Sequence, residues 1–373
     1  MARAMSTTPK TNTQNIESSK RIAFAAIEPY TASNIVSAEE REERGKDWIA
    51  WGDGNKYPQY LDILYNSSTT LQTIINGTAD YVSGNNVQVN VAEWQTKVNG
   101  DGETVEELVA MLAVDYLKYG GFAICVIRDN IGRIAELSYI DVARLRCDKD
   151  REVFYYSEDW GKNRTKVLRY PKFGVNDANP TSIVYVAGNK TRNTYPVPMW
   201  NAAVRSAEME RQITDFHLNN IANGFSGGYA FNFNNGMPDD EQKDEIERNI
   251  MNKFSGAENA GRIVLSFNAD REHALDITKL DTDDLDKKYD LVRVWCREQM
   301  FTAFRAVPCL FGLMTENNGF SREEFLQAFE LYNLTVVRPI QQLITRELDK
   351  VLGVKDAVTI IPFSLETTEN IAE

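Results

Sequence analysis

The densest group of chemically active side chains in this sequence is a set of four aspartates, Asp281, Asp283, Asp284 and Asp286. Carboxylates at this spacing can bind a divalent cation, as a metal-dependent nuclease would require. The calcium-loop pattern fails, because Asp286 occupies the glycine position and Arg293 lies near the position of the final glutamate. Aspartates at a helix N-terminus interact favourably with the helix dipole, and we favour this interpretation over a metal site.

The other candidates for chemistry are weaker. The segment GAENAGR at residues 256–262 has the glycine spacing of a phosphate-binding loop. It lacks the Lys-Ser/Thr pair, and it lies between a predicted helix and a predicted strand, the reverse of the required order. His217 and His273 have no serine or cysteine in a recognisable nucleophile setting, and the four cysteines form no CxxC pair. The sequence therefore predicts no enzyme, no metal site and no cofactor.

Composition limits the classes of protein that remain. A chain of 373 residues with 43% hydrophobic residues can bury a core and form two or three subdomains. Its 41 basic and 54 acidic residues give a net charge of −13, so a monomer that grips DNA through its phosphates is not expected. Asp115 and Lys118 interrupt the best apolar run, so we expect a soluble, cytoplasmic protein without a membrane segment.

Two long helices flanking a polar loop dominate the C-terminal part. The first is predicted from Leu285 to Arg305 by apolar residues at alternating spacings of three and four. The second begins at Ser321, which stands three residues before Glu324 in a capping-box pattern. It extends to the residue before Gly353, and we expect a kink at Pro339, which lacks the backbone amide that a helix interior uses.

Several further segments occur in a fixed order along the chain. The segment WGDGNKYP at residues 51–58 precedes a helical run, and YGGFA at residues 119–123 precedes an apolar strand. A helix after Pro198 leads to a strand, a charged helix from Asp239 and a second strand. VPCLFG at residues 307–312 opens the polar loop.

In their order and spacing, these segments resemble the portal proteins of tailed bacteriophages, and the resemblance runs from about Trp48 to Leu352. It implies a helix-rich α+β fold with an α/β wing, long stem helices, a small α/β clip, a tunnel loop and a long kinked helix. Two features depart from the family pattern: Cys309 stands where a second proline is common, and the chain has only a short tail after Gly353.

The resemblance implies the following division of the chain. The expected segments are a flexible N-terminal arm (1–45), the wing (46–197), a stem helix (198–224), the clip (225–280), a second stem helix (281–307), the tunnel loop (308–320), the long kinked wing helix (321–353) and a short C-terminal segment (354–373).

The resemblance also implies which residues carry the function. Those of the tunnel loop, which would face DNA in a central channel, are Thr315, Glu316, Asn317 and Asn318. Those of the clip surface, where partners would dock, are Lys243, Glu247, Arg248, Lys253 and Arg262. Pro339 would set the direction of the loop through the helix kink.

The expected function is a ring-shaped homo-oligomer, a dodecamer by resemblance, at one capsid vertex of the virion. Double-stranded DNA would be packaged and ejected through it without sequence-specific contacts. The implied partners are the terminase large subunit, a head-tail adaptor, the major capsid protein and the scaffolding protein, with assembly in the host cytoplasm. Two alternatives remain open: a metal-dependent nuclease, and a capsid or adaptor protein without a channel.

Overall fold

A computed structural model describes most of the chain. The described residues are 35–162, 165–175, 179–188, 193–222, 229–233, 239, 241–246, 263–267, 285–313 and 321–363. Contacts divide the chain into Met1–Ile35 and Val36–Glu373, and every element described below belongs to the second unit.

Local sequence signals define the helix ends. The helices are α1 (Tyr57–Ser67), α2 (Thr69–Ser83), α3 (Val105–Tyr119), α4 (Val204–Ala222), α5 (Leu285–Phe304), α6 (Arg322–Tyr332) and α7 (Arg338–Leu352). Thr104 and Glu107 form a capping box at the start of α3, and Gly120 ends it in the left-handed conformation. The predicted capping box of Ser321 and Glu324 and the left-handed Gly353 are likewise confirmed at the ends of α6 and α7.

The strands in the described ranges form five small sheets. They are β1 (Arg41–Glu42), β2 (Ile49–Ala50), β3 (Asn86–Val89), β4 (Gly121–Arg128), β5 (Ile134–Tyr139), β6 (Leu145–Cys147), β7 (Val153–Tyr156), β8 (Leu168–Pro171), β9 (Thr181–Ala187), β10 (Tyr229–Phe233), β11 (Ile263–Phe267) and β12 (Val358–Ile361). The two three-stranded sheets, β5-β4-β9 and β6-β7-β8, are antiparallel, whereas β10 and β11 pair in parallel.

The main core lies between α1, α2, α3 and strand β4. Helix α3 packs against α2 on one side and against β4 and β5 on the other. The fully buried side chains here include Leu61, Leu64, Leu71, Ile74, Leu112 and Phe122. Together with the sheets, these helices give the mixed, helix-rich fold that the sequence predicts.

The segment at residues 51–58 forms a tight turn at the edge of this core. Trp51 stacks on Tyr195 with ring centroids 4.4 Å apart and planes at 4°. Gly52 has φ +77°, and a Cβ there would collide with the Ser37 carbonyl oxygen and the Tyr57 side chain. The Asn55 side-chain oxygen accepts a hydrogen bond from the Trp51 amide at 2.9 Å. Only glycine fits the backbone at position 52.

Arg146 on β6 stabilises this turn through hydrogen bonds, and its side chain is fully buried. The guanidinium donates to the Asn55 side chain and backbone and to the carbonyl oxygens of Ala143 and Leu145. It also faces the ring of Trp160 at 4.9 Å. Burial lowers its pKa to about 10. Arg146 forms no ion pair with a carboxylate of the described residues. Neutral acceptors alone therefore satisfy this cation.

At both ends of the described chain, strands join the terminal residues to the rest of the second unit. Residues 36–45, which the sequence assigns to the arm, belong to the folded unit, because β1 pairs with β2 and the Glu40 carboxylate accepts the Thr194 and Tyr195 amides at 2.8 and 2.6 Å. In the C-terminal segment, β12 pairs with β3, 269 positions earlier at the Val358–Val89 pair.

A π-helical segment, Asn333–Val337, joins α6 to α7, whose second residue is Pro339. Tyr332 and Ile340, on either side of it, are 2% and 4% exposed. In an unbroken α-helix, at about 100° per residue, these two positions would point roughly 80° apart. The extra residue of a π turn reduces this to roughly 20°, so both halves present one buried face to the body. The kink at Pro339 itself stays a prediction.

Candidate functional site

The predicted tunnel-loop residues Thr315, Glu316, Asn317 and Asn318 lie outside the described residues, but both ends of the loop are described. Before it, a short 3-10 helix, Pro308–Phe311, ends at Gly312, whose left-handed backbone has φ 76° and ψ 10°. After it, the Ser321 hydroxyl accepts the Glu324 amide at 3.2 Å and starts α6. The loop therefore connects two fixed helix ends.

An aromatic cluster packs around both ends of the loop. The Tyr81 ring on α2 is its centre, with ring centroids between 5.8 and 6.3 Å from those of Phe311, Phe329, Tyr332 and Phe363. Edge-on packing at these distances is favourable for aromatic pairs. Because Phe311 precedes the loop and Phe329 follows it, one cluster fixes where the chain leaves and rejoins the body.

Two hydrogen bonds lock this cluster to α2. The Tyr81 hydroxyl donates to the Leu310 carbonyl oxygen at 2.8 Å. The hydroxyls of Thr78 and Tyr332 are 2.7 Å apart, and Thr78 is fully buried. Burial raises the pKa of Tyr332 to about 12, so its hydroxyl stays neutral at physiological pH. These bonds position the loop ends without relying on an ionised group.

Helices α4 and α5, the predicted stem helices, pack antiparallel. Near the end of α4, the rings of Phe216 and Tyr289 approach to 4.9 Å. At the opposite end, Trp200 stacks against Phe304 at 6.4 Å. The predicted apolar stripe of α5 is confirmed at Cys296, which is fully buried.

A cavity of about 550 Å³ lies beside the start of the loop, between α2, α4 and α5. Its walls include Glu210, Arg293, Arg297, Phe311 and Leu313. Arg293 and Arg297 form no ion pair with any side chain in the described part of the chain. Sequence reasoning missed this pair, although two arginines four residues apart on the polar side of a predicted helix would have marked it.

The predicted clip surface is only partly described. Residues 241–246 are helical, starting where the Asp239 carboxylate accepts the Gln242 amide at 2.8 Å, and Lys243 lies half-buried on this turn. Glu247, Arg248, Lys253 and Arg262 lie outside the described residues. The strands β10 and β11 flank this helix in sequence and pair in register from Tyr229 and Ile263.

The residues weighed for metal or nucleophilic chemistry have mostly no described structure. The aspartates at residues 281–284, the glycine-bounded segment 256–262 and His273 lie outside the described ranges. His217 packs its ring against Phe216 and Tyr289, at 5.7 and 5.5 Å. Among the described residues, no three His, Cys, Asp or Glu side chains converge on a metal position, and no helix is long and apolar enough to span a membrane.

Comparisons with known proteins give a consistent result. The family described as "Phage portal protein" matches residues 96–367. A chain in the neck of an empty gene transfer agent particle, computed with C6 symmetry, is 16% identical with a TM-score of 0.52, covering 83% of this chain and 85% of that one. A chain in the native neck, computed with C12 symmetry, is 15% identical with a TM-score of 0.51 and the same coverage. A chain of the native virion is 16% identical with a TM-score of 0.51, covering 81% and 83%.

A search of curated proteins finds no match. The structural similarities extend over most of the chain and concern the fold alone. The family match covers well over half of the sequence, including the loop and its flanking helices. The chain belongs to the phage portal protein family.

Proposed function

We propose that this chain is a non-enzymatic portal subunit, which forms a ring at one capsid vertex of the virion. Double-stranded DNA would enter the capsid through the ring during packaging and leave through it during ejection. The family match over residues 96–367 is the observation that carries this proposal. The fixed ends of the tunnel loop support it, because a loop anchored by an aromatic cluster can hold a constant position towards a channel.

The ring would contain twelve copies of the chain. Repeated head-to-tail contacts close only when the rotation between neighbours divides a full turn. The similar neck chains come from particles computed with C12 and C6 symmetry, and twelve copies are compatible with both.

The acidic character of the chain suits a conduit for DNA. Each phosphate contact that is made must also be broken while DNA moves, and a net charge of −13 opposes tight binding. The polar loop residues 315–318 would then face the duplex without reading its bases. A non-enzymatic subunit would not drive DNA movement itself, so the force would come from a partner.

That partner would be the terminase large subunit, docked on the clip surface around Lys243, Glu247, Arg248, Lys253 and Arg262. A head-tail adaptor would take the same surface later, and the major capsid and scaffolding proteins would contact the ring during assembly in the host cytoplasm. Strands of neighbouring clips would pair at their edges, which satisfies backbone groups left open in a two-stranded sheet.

Electron microscopy of the purified chain tests the proposal directly. We expect annular particles with a central hole wide enough for a DNA duplex. A chain that stays monomeric under all assembly conditions would refute the proposal. Metal-dependent DNA cleavage that is lost in Asp283→Ala/Asp284→Ala would support a nuclease instead, and oligomers without a hole would support another capsid or adaptor protein.

The loop can be tested separately. Deleting residues 315–318 should leave rings intact but reduce packaging or retention of DNA, since the loop ends are held by the aromatic cluster. A matched control replaces the same four residues with serines and keeps the loop length. Dispersed monomers after the deletion would show that the loop serves assembly.

A further inference from the structure

The cavity beside the start of the loop combines apolar side chains with charged ones. Its volume of about 550 Å³ lies within the range of pockets that bind small molecules. Phe301, Phe311 and Leu313 line it, and we call these three residues the floor. The rings of Phe301 and Phe311 pack edge to face with centroids 5.7 Å apart. Phe311 and Leu313 are only half-buried, so the floor presents apolar surface to an occupant.

The charged wall of the cavity is one face of α5. The lining residues of this helix are Asp290, Arg293, Val294, Arg297 and Phe301, and spacings of three and four residues place them on one side of a helix. Both arginines are exposed, and neither forms an ion pair with a side chain in the described part of the chain. A planar guanidinium can donate two parallel hydrogen bonds to a carboxylate. The two arginines are therefore available to bind an anion.

Glu210 is a second carboxylate on the walls, but other groups already satisfy it. It is 7% exposed and accepts hydrogen bonds from the hydroxyls of Ser68 and Thr70, the latter at 2.8 Å. Ser68 is the N-cap of α2, so Glu210 lies near the N-terminus of this helix, where the helix dipole stabilises a carboxylate. The two arginines and Asp290 then leave one excess positive charge beside the floor. The cavity therefore suits one carboxylate better than a phosphate dianion or a stretch of DNA.

We propose that this cavity binds a carboxylate that carries an apolar group, with Arg293 and Arg297 holding the carboxylate and the floor contacting the apolar group. The arginines select against cationic ligands, because like charges repel. The floor selects against small anions, which gain nothing from apolar burial. Two sources supply this chemistry: a free alkyl carboxylate, and a peptide with an apolar side chain next to a carboxylate. One chain supplies all of these residues, so the site does not require the ring of the proposed function.

Isothermal titration calorimetry with decanoate, below its micelle concentration, tests the site. We expect one decanoate to bind per wild-type chain. Arg293→Gln and Arg297→Gln should each lower the affinity at least about tenfold, because each removes a charged hydrogen-bond donor. Decanol lacks the carboxylate and acetate lacks the alkyl chain, so each should bind at least about tenfold more weakly than decanoate.

Arg338→Gln is the matched control, because Arg338 is exposed on α7 and does not line the cavity. It should bind decanoate as the wild type does. Circular dichroism and the urea midpoint should match the wild type for all three variants, because every replaced side chain is exposed. Wild-type affinity for decanoate in both cavity variants would overturn the proposal. Equal affinities for decanoate and decanol, or for decanoate and acetate, would overturn it as well.

Charge reversal gives a second measurement that does not depend on losing binding. Arg293→Glu/Arg297→Glu should bind decyltrimethylammonium more tightly than decanoate, whereas the wild type should show the opposite order. The same order in both proteins would refute the role of the arginines.

A peptide distinguishes the two sources of the ligand. The capped pentapeptide GLELG has one carboxylate between two leucine side chains. Tighter binding of this peptide than of decanoate would assign the site to a protein partner, and the reverse would assign it to a free alkyl carboxylate. Absence of binding by both would refute the site while leaving the proposed function intact, because electron microscopy of the ring tests that function separately.

Discussion

Side-chain burial differs between two regions of the chain. One is the body around α1, α2, α3 and β4, and the other is the outer end of the α4–α5 pair. In the body, even ionisable groups are buried: Arg146 is 0% exposed and Asp115 is 1% exposed, and both are hydrogen-bonded within the chain. At the outer end of the pair, Leu291 is 70% exposed, although apolar side chains gain most from burial.

The difference indicates which region is complete in one chain. Burying a cation without a carboxylate partner is tolerable only when fixed acceptors surround it, so the body around Arg146 must fold as one cooperative part. The α4–α5 pair buries side chains where the two helices contact each other, but it leaves apolar side chains on its outer faces exposed to solvent. We therefore expect substitutions in the body to lower the stability of each chain, and substitutions of exposed apolar residues such as Leu291 to change that stability little.

The largest effect on stability should come from Arg146→Met. Methionine fills much of the space but removes the guanidinium donors of the Asn55 and Leu145 carbonyl oxygens. The Asn55 side chain keeps the Trp51 amide and the Ala143 carbonyl keeps the Gln59 side chain. Unpaired buried acceptors cost about 1–3 kcal/mol each, so we expect a loss of about 3–5 kcal/mol in the free energy of unfolding, measured in urea.

Arg144→Met is the control for this substitution. Arg144 lies two residues away, its side chain is 48% exposed, and it pairs with Asp141 at 3.6 Å. A surface pair of this kind contributes less than about 1 kcal/mol. Equal losses for the two variants would contradict the role assigned to Arg146.

A second effect should depend on pH and comes from Asp115. Burial raises the pKa of Asp115 to about 8, with the nearby Asp141 adding to the shift and Lys118 opposing it. An aspartate in the unfolded chain loses its proton near pH 4, so between about pH 4 and 8 the folded state holds more protons. Stability must therefore fall as pH rises through this window.

Asp115→Asn should remove this fall, because an amide does not ionise. We expect the free energy of unfolding of the variant to gain on the order of 3 kcal/mol relative to wild type between pH 5 and pH 8. Urea unfolding at several pH values measures it. The hydrogen bond from the Tyr139 hydroxyl, 2.9 Å from the Asp115 carboxylate, can be kept by the amide oxygen.

Asp129→Asn provides the control with the opposite shift. Desolvation raises the pKa of Asp129, but hydrogen bonds from Arg133 outweigh it, and the net shift is downward. This carboxylate is ionised in both states above pH 5, so its removal should not change the slope. An unchanged slope in Asp115→Asn would show that Asp115 is already ionised in the folded protein.

A smaller effect separates two glycines of the WGDGNKYP segment. Gly52→Ala would place a Cβ against the Ser37 carbonyl and Tyr57 at φ +77°, and should cost about 2–3 kcal/mol. Gly54 also has a positive φ, of +59°, but its nearest neighbour is the Lys56 side chain at 4.0 Å. Gly54→Ala should cost only about 1 kcal/mol, because it adds backbone strain without a steric collision. Thermal unfolding of both variants measures the difference between them.

Sequence patterns predicted local features well, because helix ends depend on nearby residues. The capping box at Ser321 and the left-handed Gly353 both follow from spacings of a few positions. The resemblance to portal proteins also held, since it used the order of many such features. In contrast, β12 was missed because its partner β3 lies far away in sequence.

Buried ionisable groups such as Arg146 could not be predicted from the sequence, for a related reason. Nothing in the residues around Arg146 distinguishes it from a surface arginine, because its acceptors come from the distant turn at Asn55. The exposed apolar residues of α5 could be recognised only after the buried side of the helix was known. A periodic pattern marks the buried stripe of α5, but it does not predict that Leu291 and Trp295 stay uncovered on the other side.

The smallest effect should come from Pro339→Ala, which tests the origin of the π segment. If the need to bury both Tyr332 and Ile340 determines the register, alanine leaves Asn333–Val337 π-helical, and its new amide can donate to the Leu334 carbonyl. The free energy of unfolding should then change by less than about 1 kcal/mol, as in the exposed control Gln342→Ala. A structure of the variant with an unbroken α-helix would instead assign the irregularity to the proline, and one helix half would have to turn its apolar face away from the body.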